Sequence, residues 1–307
     1  MADVYMSTSD VVKFNDADLD IGIVSDVLND APLLASMAAR AIPGYTYKYL
    51  KKTANPSVGF RDESDGRENT KATYSNVTVT LAILDASFQV DIATAEADER
   101  GASAMLAQQA VDHLQSAMFH AESEVITGAG AGGFNGLADQ TVGHIGGAMN
   151  VNAGGTTADT GSSIYLVRSG LSDCHLVWGA EGSIDVGETS IIKAAGSGTG
   201  HFPAYWTPVT AWVGLQIGSA YSFGRICNVT EDSGKGATDD LISEALQKFP
   251  AGRGPTHIVM NRRSLGQLQR SRTATSPTGA PADFPDAVHG VPVIVTDAIS
   301  STEALLS

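Results

Sequence analysis

The sequence predicts an α+β fold with three parts: an extended two-stranded excursion, one long helix after it, and a strand-rich remainder. Three observations carry this. Apolar residues recur at alternating four- and three-residue steps through residues 94–127, the spacing of one helix face. Period-two alternation runs through Tyr45, Tyr47 and Tyr49, and again through Val77, Val79, Leu81 and Ile83, the spacing of strands. Beyond Gly154, short β-like runs are punctuated by glycine and joined later by two helical patterns.

Residues 1–44 are acidic and mixed, with a helical candidate over 27–41 broken by Pro32 and ended by Pro43. They read as an arm with little core of its own. Residues 45–90 form the excursion, with the charged, turn-rich FRDESDGREN at its far end. An isolated hairpin of this kind is marginal in water, so it makes sense lying on a neighbouring molecule. Thr94 is the expected N-cap of the long helix, with Glu96, Asp98 and Glu99 in the first turn, where the helix dipole favours anions. Ala107, Val111, Leu114, Met118, Ala121 and Val125 form its apolar face, and Gly128 is placed to stop it as a left-handed residue. A helix over 94–127 is about 50 Å long at ~1.5 Å per residue, a spine that one small core rarely covers. IYLVR, CHLVWG, TAWVGLQIG and GRICNVT follow as strands. A helix over 239–249, the buried-strand run THIVMN, a helix over 263–272 and the last strand within HGVPVIVTDAIS complete the chain.

At 307 residues, with 43% apolar and only 17% charged residues, the chain can bury a core while offering a sparsely charged surface. Many copies packed edge to edge would cover such a surface. The formal charge of −15 excludes a dedicated nucleic-acid binder, which needs a basic field, but not a container that holds nucleic acid without gripping it. Cys174 and Cys227 are far apart and in no paired motif, which suits two packed thiols and no disulfide framework. The start lacks a basic segment followed by an apolar one, so no secretory signal is read, and no apolar run approaches ~18 residues.

The run VITGAGAGGFNGLAD invites a phosphate-loop reading. That chemistry needs a strand, the glycines, then Lys and Ser or Thr opening a helix. Here the glycines close a helix, and the next lysine is Lys193. Carbonyls at a helix C-terminus repel an anion. His113, His120 and Glu124 share a helix region, but the histidines lie seven apart rather than the four a zinc pair wants. AYSFG around Ser222 has alanine at the first glycine position of a nucleophile elbow, with no histidine soon after. His289 and Asp297 suggest a triad without geometry, and Asn261 reads better as a helix cap than as a catalyst. No enzyme, cofactor or metal is expected.

Four stretches in order resemble the major capsid proteins of tailed bacteriophages, which share the Hong Kong 97-type fold. They are the two-stranded run before the spine, the spine ending in ITGAGAGGFNGLAD, the strand-to-helix segment THIVMNRRSLGQLQ, and VHGVPVIVTDAIS, like a "G-[IL]-P-V" strand. No one motif carries the match; their order and spacing do. The resemblance implies an N-terminal arm (1–44), an extended loop (45–90), a peripheral domain (91–234, with the spine helix 94–127 and strands 161–230) and an axial domain with a C-terminal strand (235–307). Only STEALLS follows DAIS, where the family layout places a group of long strands. A permuted chain order is therefore expected, with the strands of residues 164–229 packed along the spine.

The implied role is self-assembly as hexamers and pentamers into an icosahedral shell around packaged double-stranded DNA, in a virion assembled in the host bacterial cytoplasm. Portal, scaffold and decoration proteins are the implied partners, with no membrane. The loop would lie on the adjacent subunit, where Lys48, Lys51, Lys52, Arg61, Asp62, Glu63, Asp65, Arg67 and Glu68 make the intersubunit contacts. The core face of the spine is Val111, Leu114, Met118 and Val125, and its stop is Gly128. Lys48, Lys51, Lys52 and Lys71 also lie in the loop from which some relatives form a Lys–Asn cross-link, although no partner asparagine is identified. About 44 residues precede the loop, so a separate scaffold protein or a trimmed chain is expected. The alternatives are an encapsulin-like nanocompartment shell, or a β-rich enzyme or binding module with the glycine loop as a pocket.

Overall fold

The structure, a computed structural model, describes residues 6, 10, 30–68, 70–195, 200–275 and 280–306. Helix α1 (Pro32–Ser36) and strand β1 (Ala39–Ala41) precede the hairpin of β2 (Thr46–Ala54) and β3 (Thr73–Thr80). Strands β4 (Ala82–Asp85) and β5 (Phe88–Asp91) and the short α2 (Ile92–Glu96) lead into α3 (Ala102–Thr127). Next come β6 (Asn150–Asn152), β7 (Ser162–Val167), β8 (Cys174–Trp178), β9 (Asp185–Val186) and β10 (Ser190–Ala195). They are followed by β11 (His201–Thr207), β12 (Val209–Ile217) and β13 (Phe223–Val229). Then follow α4 (Asp239–Gln247), β14 (His257–Met260), α5 (Arg262–Thr275), β15 (Ala287–Val288) and β16 (Val291–Val295).

The continuous helix expected over 94–127 is two helices. The Asp91 carboxylate accepts from Ala93 N at 3.0 Å and caps α2, so Thr94 lies inside a helix and is buried rather than capping one. Asp98 then accepts from Arg100 N at 2.8 Å and pairs with its guanidinium at 2.8 Å. Such a side-chain-to-backbone turn competes with helical hydrogen bonding. Gly101, at φ +92°, completes the break. What remains of the spine is 26 residues, still about 39 Å at ~1.5 Å per residue.

The buried stripe of α3 is also rotated from the expected face. Leu106, Ala110, Leu114 and Ala117 pack against Phe88, Val90 and Met105, and Val125 is fully buried. Met118 lines a small apolar cavity with Leu84 and Val209. Val111, by contrast, is 51% exposed. The side of α3 on which β5 docks, with Phe88 against His113 at 5.4 Å between ring centroids, decides the face.

The segment before the hairpin has more core than its composition suggested. Pro32 opens α1 rather than breaking a helix, as proline does at a first turn, where its missing N–H is not needed. Leu33 and Met37 are buried in the main core. The part of the expected helix at 27–29 lies outside the described residues.

Strands group into a five-stranded sheet (β1-β8-β12-β4, with β9 also on β12) and a three-stranded sheet (β10-β11-β5). A six-stranded sheet (β15-β16-β14-β7-β13-β6) and the separate β2–β3 pair complete the set among the described residues. The expectation that the strands of 164–229 pack together along the spine is therefore corrected in part: they divide among three sheets, and one of these also holds the strands of the 256–298 segment. β8 and β12 do meet the C-terminal half of α3 through Leu176, Ala211, Val213, Val125 and Ile126. β7 and β13 put Tyr165, Val167 and Phe223 into that same core, but their sheet is the one that holds β14: β7 pairs with β14, Ile258 opposite Leu166, and β13 with β7, Ile226 opposite Ile164. Every residue of β7 and β13 is buried, the pattern of central strands covered on both faces. α4 and α5 cover them through Ile242, Ala245, Leu265 and Leu268.

The residues after β16 lock onto this sheet. Glu303 exchanges backbone hydrogen bonds with Gly161 at 2.9 and 3.2 Å. Its carboxylate accepts from Ser163 Oγ at 2.6 Å and lies 3.4 Å from Arg225, which is itself buried. Glu303→Ala should destabilise the subunit by about 3 kcal/mol, the low end for breaking a buried pair, because Ser163 and the Ala138 carbonyl still hold the guanidinium. Chemical denaturation of the variant measures it.

Candidate functional site

The glycine run is built around the end of α3. Gly128 N donates to Glu124 O at 2.9 Å. The chain then loops out and returns, so that Leu137 N donates to Val125 O and Ala138 N to Ile126 O, both at 2.8 Å. The last helical carbonyls are thus satisfied by backbone of the returning strand, and those N–H groups are not free to hold an anion. Gly128 does stop the helix, but with φ −52° and ψ 130° rather than the left-handed conformation expected. A side chain is excluded there by proximity: a Cβ would lie 2.4 Å from the carbonyl oxygens of both Glu124 and Phe134. Gly128→Ala should cost about 1–3 kcal/mol as backbone shifts to relieve that overlap, read as a lower unfolding midpoint.

Among the described residues, the hairpin is anchored at its root. Tyr47, Tyr49, Val79 and Leu81 pack with Val177 and Trp212 on one face of the five-stranded sheet. The Tyr49 hydroxyl donates to Ile217 O at 3.0 Å. Strand alternation puts Lys48, Leu50 and Lys52 on the opposite, exposed face, while Lys51 is half-buried on the tyrosine side. At the far end Arg61 donates to Asp65 O and Arg67 to Ser57 Oγ. Among the described residues, no salt bridge joins Arg61 or Arg67 to Asp62, Glu63, Asp65 or Glu68.

The tip also carries an apolar element that a reading centred on its charges missed. Val58 is 86% exposed and Phe60 fully exposed. The signal was present in SVGF, just before the charged run. Charge is also divided unevenly. Residues 46–80 hold six cations and four carboxylates, a net of +2, which leaves −17 on the rest of a chain whose total is −15.

The alternative chemical sites resolve into structural roles. Ser222 is buried; its hydroxyl accepts from Ser219 N and donates to Asp173 at 3.3 Å, tying a turn. Asn261 Oδ1 accepts from Ser264 N at 2.9 Å and caps α5. His289 faces the Asp239 carbonyl at 3.5 Å. Burial pushes the Cys174 thiol up to about 12 and raises that of Cys227, so both are packed, inert thiols. Among the described residues, no group of His, Cys, Asp and Glu is arranged to hold a metal ion, and no helix is long and apolar enough to cross a membrane.

One buried carboxylate ties three parts of the chain together. Glu122 of α3 is fully buried and accepts from Leu33 N at 2.9 Å, from Leu34 N at 3.1 Å and from the Thr296 hydroxyl. It joins the segment before the hairpin, the spine, and the residues after β16.

A family model described as Major capsid protein GP7 matches residues 20–307. The cryo-EM structure of bacteriophage Epsilon15 superposes at a TM-score of 0.69 and 20% identity, covering 100% of this chain and 98% of that one. The capsid asymmetric unit of cyanophage A-1(L) gives 0.50 at 10% identity, over 68% of this chain and 95% of that one. An encapsulin complex from Synechococcus elongatus reaches 0.47 at 8% identity, over 69% of this chain and 94% of that one, too distant to argue from. No curated protein matches the chain. The superpositions show the shared fold, of the Hong Kong 97 type expected from the sequence. With the family model running over nearly its whole length, this chain belongs to the family of the major capsid protein GP7.

Proposed function

We propose that this capsid protein assembles as hexamers and pentamers into an icosahedral shell around double-stranded DNA, with each β2–β3 hairpin laid on the adjacent subunit. The observation that carries this reading is the hairpin itself. Beyond its root, Leu50, Val58, Phe60 and Tyr74 are exposed, and among the described residues the strands pair only with each other. A two-stranded ribbon with an apolar tip needs a second surface to be stable. Its stem, basic through Lys48, Lys51 and Lys52, complements the acidic remainder of another copy. At the tip, Arg61, Asp62, Glu63, Asp65, Arg67 and Glu68 would form rim contacts worth about 0–1 kcal/mol each, around the burial of Val58 and Phe60.

The acidic body suits a container that does not grip its contents. Portal, scaffold and decoration proteins, and assembly in the bacterial cytoplasm, belong to this reading as the roles the family implies. The proposed division is the arm (1–44), loop (45–90), peripheral part (91–234) and axial part (235–307). Because β6, β7 and β13 share a sheet with β14, the axial part would recruit these strands from the middle of the chain.

Size-exclusion chromatography with negative-stain microscopy tests the reading. Megadalton shells or ring-shaped capsomers are expected, alone or with a scaffold. A stable monomer that turns over a small molecule would overturn it.

A further inference from the structure

Two buried polar side chains beneath the hairpin root are incompletely satisfied. His175 and Gln216 are directly opposite each other on β8 and β12, and both are buried. Neither ring nitrogen of His175 makes a hydrogen bond among the described residues, and neither does the Gln216 side-chain oxygen. Alternation places both on the face that holds Val177, Gly214 and Trp212. This is the face that Tyr47, Tyr49, Val79 and Leu81 of the hairpin root and its exit cover, and Leu81 lies against Gly214. A buried imidazole without a well-formed hydrogen bond is costly, and it becomes far more so when charged.

The surroundings of the ring sharpen this. From β1, paired alongside β8, Arg40 donates to the Tyr47 hydroxyl and stacks its guanidinium 5.2 Å from the Tyr47 ring centroid. Arg40 is also the charge that acts on His175. From the hairpin come the phenols of Tyr47 and Tyr49, and burial raises the Tyr49 pKa, which keeps it neutral. From β12 comes the uncharged Gln216. Burial first and Arg40 second lower the His175 pKa from its ordinary 6.5; the Gly170 backbone opposes them more weakly, as a polar contact to the ring outside ordinary hydrogen-bond geometry.

We propose that His175 is a proton-operated latch for the hairpin: neutral, it lets the root pack down on β8 and β12; protonated, it repels Arg40 from beneath and loosens the root. The sign follows from the direction of the shift. A histidine whose folded pKa is depressed stabilises the packed state fully above 6.5, and that stabilisation is lost as pH falls from there through the folded value. Any effect of the latch on assembly rests on the hairpin lying on a neighbour. The latch itself is tested on the unassembled full-length chain, so the two ideas fail separately.

Hydrogen–deuterium exchange, corrected for intrinsic rates, is compared at about pH 7.5 and about pH 5. Peptides from β2 and β3 should lose about tenfold or more protection at the lower pH, the equivalent of one pKa unit, while β7 and β14 keep theirs. His175→Gln, which removes the titration but keeps a polar side chain, should abolish that difference. Unchanged wild-type protection, or the same loss in His175→Gln, would overturn the latch. Should His175→Gln not fold, NMR titration of the wild-type ring decides. A midpoint below 6.5 that tracks hairpin exchange supports the latch, and a midpoint at or above 6.5 overturns it.

Discussion

Deleting residues 59–69 should leave a folded subunit that makes few or no closed shells. The segment's described residues contribute nothing to the subunit's own core: Phe60 is fully exposed, and Arg61 and Arg67 bond locally to the Asp65 backbone and to Ser57. The stability of the shortened subunit should therefore stay within the range of ordinary surface changes, about 0.5 kcal/mol. Assembly is another matter. Covering a phenylalanine contributes about 1.5–3 kcal/mol at each contact, and a shell repeats that contact in every subunit. The single change Phe60→Asp should reproduce most of the loss by placing a charge where an apolar contact is needed. Sedimentation of particles against free subunits measures both, and an unchanged shell yield would count against the hairpin as the intersubunit element.

Glu122→Ala should have the largest effect on the subunit itself. The substitution leaves two backbone N–H groups and a hydroxyl without their acceptor in a fully buried place. At about 1–3 kcal/mol for each unsatisfied group, a loss of about 3–5 kcal/mol is expected once partial relaxation is allowed. The segment holding Leu33 and Met37 should detach first, seen as proteolytic cleavage near residue 36.

Glu122→Gln separates hydrogen bonding from charge. Desolvation raises the Glu122 pKa from 4.5, outweighing the hydrogen bonds from Thr296, Leu34 and Leu33 that lower it. A raised folded pKa means that the favourable contribution of the carboxyl is complete below 4.5 and is lost as pH rises through the folded value. Glu122→Gln should therefore gain on the wild type as pH rises from about 4 to 7, because glutamine keeps an acceptor without a charge to desolvate. A difference that shrinks with rising pH would show that the charged form is the better held.

Much of the architecture was legible in the residues. The alternation of Tyr45, Tyr47 and Tyr49 against Val77 and Val79 appears as the hairpin, with Tyr47 opposite Val79 and Tyr49 opposite Val77. The apolar run THIVMN is a fully buried strand apart from its end, and Asn261 caps the helix after it. What was not legible depended on local side-chain competition or on distant partners. The break at Gly101 turns on an aspartate taking the Arg100 N–H, a local competition that helix periodicity does not register. Val111 and Leu114 fit the same helical period, and only the docking of β5 decides that the first is exposed. β7 and β8 both read as short apolar strands, yet one joins β14 and the other β12. Sheet membership is a long-range choice that short apolar runs leave open. The glycine run shows both sides. Its place after a helix spoke for a stop, but the contacts that demand glycine at 128 are with the carbonyls of Glu124, one turn back, and of Phe134, on the far side of the loop.

Reversing the stem charges with Lys48→Glu, Lys51→Glu and Lys52→Glu should slow assembly and alter its salt dependence more than it alters subunit stability, because the stem lies on exposed or half-buried positions. The most direct measurement is a cryo-EM map of purified particles at a resolution that traces residues 46–80. A closed shell in which every hairpin crosses onto the adjacent subunit, with Val58 and Phe60 covered there, is the expected result. A shell whose hairpins fold back over their own subunits, with Phe60 in solvent, would contradict it.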